Sequence, residues 1–140
     1  MKKMISLAVA VSMLLTMVVA QTNGIAADNI IGTYWSPKKD AKIEIYKKEN
    51  KYFGKSTWLL TKRKDQKNPN TALRERDLLG VELLTNFSYK DGAYGNGEIY
   101  DPESGKTYNC KISFNGRNLK VRGYIGISLL GRTEVFERIN

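Results

Sequence analysis

No histidine occurs anywhere in the 140 residues. The one side chain whose ordinary pKa lies near neutrality is therefore missing, along with the commonest zinc ligand. Ser/His/Asp, Cys/His and His-based metal chemistry are excluded. There is also only one cysteine, Cys110, so no internal disulfide can form and the fold must stand on packing alone. Cys110 alternates with Tyr108 and Ile112 in a strand-like pattern, which predicts a buried, inert thiol. Helical periodicity is absent beyond a turn or two, and no internal repeat is visible.

The longest apolar stretch is at the N-terminus. Met1-Lys2-Lys3 precedes a run from Met4 to Ala20 broken only by Ser6, Ser12 and Thr16, and the run ends in Val18-Val19-Ala20. A basic start, an apolar centre and small residues before Gln21 predict a cleavable signal peptide over residues 1–20. A spanning helix needs about 20 consecutive apolar residues and a positive flank, which this run does not supply. No cysteine lies near the cleavage region, so the lipoprotein pattern is absent and the expected location is the periplasm or the exterior. Residues 21–29 lack periodicity and read as a short flexible leader, and residues 30–140 as one domain.

The formal net charge is +9. Residues 36–77 carry 13 basic and 6 acidic side chains and so hold the whole excess that remains once Lys2 and Lys3 of the expected signal peptide are set aside. Such a face attracts acidic partners, and it is also what the solvent side of strands looks like when lysines alternate with apolar residues.

From Ile30 onward the pattern has a period of two. Strands are predicted at 30–35, 41–46, 51–60, 79–89, 95–100, 106–114, 119–125 and 130–139. The separating turn signals are Lys48-Glu49-Asn50, Lys90-Asp91-Gly92, Asp101 to Gly105, Asn115 to Asn118 and Gly126-Ile127-Ser128. A long basic loop at 61–77 interrupts the rhythm. Eight short antiparallel strands in sequence predict an all-β, up-and-down barrel, because closure removes the exposed edges.

Several phrases carry a resemblance: Ile31-Gly32-Thr33-Tyr34-Trp35, Leu78-Leu79-Gly80, Gly97-Glu98-Ile99-Tyr100-Asp101-Pro102 running into Ser104-Gly105-Lys106-Thr107-Tyr108, and Leu119 to Tyr124. Together they resemble the bacterial secreted family of domain of unknown function 2147, over nearly all of residues 21–140. That family looks like a relative of the calycins, the lipocalin and fatty-acid-binding barrels. The resemblance implies a structural signature of Gly32 on the first strand, an arginine near the chain end, Arg138, and an aromatic ring beneath it. Tyr34 and Trp35 both stand near the required position, on opposite faces of the strand.

Asp101, Pro102 and Gly105 are explained as a turn: Pro102 presets φ, Asp101 accepts from backbone amides, and Gly105 tolerates positive φ. Asp65, Asn68, Arg74, Arg76 and Asp77 have two readings, as anchors of the long loop or as contacts for a polar ligand head. An eight-stranded barrel either fills itself with side chains or holds one small ligand. A pocket would draw on Trp58, Tyr100, Tyr108, Arg122 and Tyr124, with Arg122 and Tyr124 sharing one strand face. The expected function is binding of an apolar or amphipathic molecule, with an anionic head attracted by the basic loop. The alternative is an envelope protein that uses the 36–77 face to contact acidic polymer, lipid headgroups or a protein partner. No catalytic constellation, metal site, cofactor or nucleic-acid role is expected.

Overall fold

A computed structural model describes residues 26–139. The expected signal peptide at 1–20 and residues 21–25 of the leader lie outside the described residues. The chain divides after Ile30 into two units. In the first, the described residues end in a single 3-10 turn, Asp28–Ile30. Ile30 closes that turn, so the first strand starts two residues later than the sequence pattern indicates.

The second unit is a meander of eight antiparallel strands. They are β1 (Gly32–Trp35), β2 (Ala41–Lys48), β3 (Lys51–Leu59), β4 (Glu82–Lys90), β5 (Ala93–Asp101), β6 (Lys106–Asn115), β7 (Asn118–Tyr124) and β8 (Gly131–Phe136), paired in chain order. Beyond β8 the chain turns onto the first strand: Trp35 N–H donates to the Glu137 carbonyl at 2.8 Å, and Ile139 N–H to that of Thr33 at 2.9 Å. The sheet thereby curls into a half-barrel whose last residues lie along its first strand.

The two ends of the barrel differ because their connections differ. At one end, β2–β3, β4–β5 and β6–β7 are joined by two-residue turns. Glu49 and Asn50 have φ of 53° and 61°, and Asp91 and Gly92 have 52° and 81°. These are the left-handed pairs whose twist matches that of hairpin strands. At the other end the connections are longer: 36–40, 60–81, 102–105 and 125–130. The tight-turn end is called the floor below, and the other end the mouth.

The floor is filled. Tyr34, Phe87, Tyr94 and Leu119 are buried there. Tyr94 meets Tyr52 edge-on with centroids 5.4 Å apart, and packs against Phe114 at 6.1 Å. Edge contacts of this kind add to what burial itself contributes. Cys110 is also buried, as its alternation predicts, and desolvation pushes its thiol up to about 12.

β4 begins at Glu82 rather than near Leu79 because the chain before it is bound elsewhere. Buried Ser56 on β3 donates its hydroxyl to the Leu78 carbonyl and accepts from Gly80 N–H at 2.9 Å. The expected last strand is likewise shortened at its start: Ser128–Leu130 form a 3-10 turn before β8.

Candidate functional site

The mouth half of the barrel is not filled. A cavity of about 610 Å³ opens there, within the range of small-molecule sites. Ile43, Leu84, Ile99, Val121 and Phe136 give it an apolar wall, from five different strands. They point inward because side chains alternate along each strand.

Of the residues named from sequence, Tyr100, Tyr108 and Tyr124 line this cavity, and Trp58 and Arg122 do not. Trp58 is displaced by a β-bulge. Lys42 pairs with Trp58 while the next residue, Ile43, pairs with Ser56, so Thr57 is an extra residue on β3. One extra residue reverses the faces of everything beyond it. Ser56 points in and Trp58 out, where it meets Trp35 edge-on at 5.8 Å with the Lys42 ammonium 5.0 Å and 5.5 Å from the two ring centroids. Arg122 lies between Val121 and Gly123, which both line the cavity, so its own side chain faces outward. It donates to Thr133 Oγ1 at 2.9 Å and to the Leu129 carbonyl at 3.3 Å. The cavity face of β7 is therefore Val121 and Gly123, and Tyr124 joins the lining from the strand's end at the rim.

The same alternation decides which ring closes the floor. Tyr34 is fully buried with the Arg138 guanidinium 5.2 Å from its ring centroid, while Trp35 faces out. Burial raises the Tyr34 phenol pKa, against the lowering effect of the Arg138 charge. Gly32 leaves room for this arrangement, since a Cβ there would stand 3.0 Å from Arg138 Nη2.

The long loop is anchored beside the mouth. Asp65 is completely buried and accepts from Asn68 Nδ2 at 2.8 Å, Arg76 Nε at 2.9 Å and the Tyr100 hydroxyl at 2.6 Å. Arg76 Nη2 meets the same oxygen, Oδ2, at 2.8 Å, so the guanidinium charge adds to the hydrogen bond from Nε. Burial alone would raise the Asp65 carboxyl, but these hydrogen bonds and the Arg76 charge outweigh it and hold the pKa below the ordinary carboxylate value. The Tyr100 hydroxyl, buried and bound to a carboxylate, is pushed up to about 12. Tyr100 thus presents its ring rather than a free hydroxyl to the cavity. Arg74 Nε completes the anchor by donating to the Asn68 carbonyl at 2.8 Å. Asp77 pairs through its backbone with Lys64.

The 102–105 turn holds the loop from the other side. Asp101 Oδ1 accepts from Glu103 N–H at 2.9 Å, and Oδ2 accepts from the Ser104 hydroxyl at 2.8 Å. Gly105 has φ 73°, and a Cβ there would fall 1.9 Å from the Lys67 carbonyl oxygen. The turn residues Asp101, Pro102 and Gly105 are thus also the seat of the long loop.

Three cations line the cavity rim. Lys38 is paired with Glu103 at 3.4 Å and Arg132 with Glu134 at 2.7 Å. Arg63, the third, has no side-chain partner among the described residues. It also lines a shallow groove of about 720 Å³ beside the mouth, with Lys62, Lys64 and Lys67. Sequence reasoning placed basic charge in this region without singling out Arg63.

A solved structure shares this architecture. Protein HP1028 from the human pathogen Helicobacter pylori, described as belonging to the lipocalin family, superposes with a TM-score of 0.73. It is 23% identical, over 79% of this chain and 83% of that one, a likeness that shows the fold. No curated protein matches the chain. The profile of DUF2147, described as an uncharacterized protein conserved in bacteria, matches residues 32–138, from the floor glycine to the floor arginine. The chain belongs to the DUF2147 family.

Proposed function

We propose that this protein is an exported binding protein that takes one apolar or amphipathic small molecule into the mouth half of its barrel. The observation that carries the reading is the division of the interior. Aromatic side chains pack the floor, while the mouth half keeps an open cavity of about 610 Å³ with an apolar wall. Sequestering such a molecule removes its apolar surface from water, at about 25 cal/mol per Å². Arg63, exposed and unpaired at the rim, is placed to meet an anionic head. Export rests on the signal-peptide pattern of residues 1–20.

Binding is favoured over catalysis because the reactive groups are already engaged. The Cys110 thiol is buried with its pKa raised to about 12, and the Asp65 carboxylate is saturated by Asn68, Arg76 and Tyr100. Native mass spectrometry of protein purified from its own host tests the reading. A stoichiometric adduct, identified after extraction as an amphiphile, is the expected result. An apo mass that stays unchanged after incubation with an envelope extract overturns it.

A further inference from the structure

The six most exposed large apolar side chains described are Leu60, Leu79, Ile125, Ile127, Leu129 and Leu130, from 48% to 83% exposed. Every one of them lies in a mouth-end connection, either 60–81 or 125–130. The floor turns hold Glu49-Asn50, Asp91-Gly92 and Gly116-Arg117, with no apolar residue. Random scatter of surface apolars needs no explanation, but their concentration at one end of a barrel does.

Basic charge also stands at the mouth end. The 60–81 connection carries six basic and three acidic residues. Two of those acids are committed: Asp65 to Arg76 at 2.8 Å, and Glu75 to Lys64 at 4.0 Å. Lys62, Arg63 and Lys67 remain exposed along the groove beside the mouth. The 125–130 connection is tied to β7 by the bond from Arg122 to the Leu129 carbonyl at 3.3 Å. Leu129 at its tip is 83% exposed and Ile127 60%.

We propose that the mouth end docks on an anionic lipid bilayer. Ile127 and Leu129 enter the acyl boundary, and Lys62, Arg63 and Lys67 lie against the headgroup phosphates. Apolar tips flanked by cations match the two layers that such a surface offers in order of depth. The two apolar clusters stand on separate connections on either side of an opening, an arrangement suited to a fluid surface. This inference rests on the polarity of the fold and stands whether or not the cavity is loaded.

The test is partition of the purified protein onto vesicles, comparing phosphatidylcholine alone with phosphatidylcholine mixed with phosphatidylglycerol. Binding to the mixed vesicles only, weakening with salt, is expected. The double variant Ile127→Asp/Leu129→Asp should weaken it by about tenfold or more. Neither residue lines the cavity, so this variant leaves the internal site intact and separates docking from ligand capture. Leu129→Trp gives an independent readout, a blue shift of its emission on mixed vesicles. Equal partition onto both vesicle types, or undiminished binding of the double variant, overturns the proposal. So does a dimer that the double variant abolishes in a protein that does not bind vesicles, which would assign the face to a second copy of the chain.

Discussion

The Arg138 guanidinium lies 5.2 Å from the centroid of the Tyr34 ring, and its Nη2 donates to the Ile31 carbonyl at 2.8 Å. One side chain near the C-terminus thus ties down the start of the first strand and covers its buried ring. At this seam the arginine side chain adds to the backbone bonds from Trp35 N–H to Glu137 and from Ile139 N–H to Thr33.

Arg138→Ala should therefore lower stability by roughly 1–2 kcal/mol, combining the lost cation–π contact with the lost hydrogen bond. Urea unfolding followed by circular dichroism measures this. Ligand affinity should stay unchanged, because the floor is separated from the cavity by the packed aromatics. A large loss of affinity at unchanged stability would show that the floor contributes to the site.

Asp65→Asn should cost about 3 kcal/mol, because it leaves Arg76 beside a buried site with no carboxylate. The pH dependence has a definite sign. The folded pKa of Asp65 lies below its unfolded value, so its stabilisation is fully present above about pH 4 and is lost as pH falls below that towards the folded pKa. Wild type should lose stability over this acid range and Asp65→Asn should lose less. Proteolysis of the 60–81 loop, faster in the variant, gives a second readout.

Cys110 should be inert in the folded protein. Its thiol is buried and its pKa raised to about 12, so negligible thiolate exists at neutral pH. Reaction with a thiol-specific disulfide reagent should appear only on unfolding, at the rate at which the barrel opens. Immediate reaction without denaturant would show that the β5–β6 wall is open.

The strand order, the tight turns at Glu49-Asn50 and Asp91-Gly92, and the burial of Cys110 were all legible in the sequence, because each is encoded within a few neighbouring residues. Faces were harder. Alternation says that Val121 and Gly123 oppose Arg122 and Tyr124, and it does not say which pair points inward. A single bulge at Thr57 was enough to carry Trp58 to the outside, and bulges leave no mark in an alternating pattern. The bond between Asp65 and Tyr100 joins residues 35 apart in sequence, so it depends on tertiary folding. The 125–130 connection read only as a turn signal at Gly126-Ile127-Ser128, and its exposed apolar side chains, Ile127 and Leu129, emerged from the structure.

The measurement that bears most directly on the central claim is the titration of wild type and Gly123→Leu with an anionic apolar fluorophore. Gly123 lines the cavity, and a Cβ there meets Ile99 and Tyr108 at an ordinary 3.5 Å, so a leucine extends into open space without displacing the wall. Wild type should bind saturably at one site, and Gly123→Leu should bind at least about tenfold more weakly with its thermal midpoint unchanged. Equal binding by both proteins would contradict the account, because the probe would then be occupying something other than the open half of the barrel.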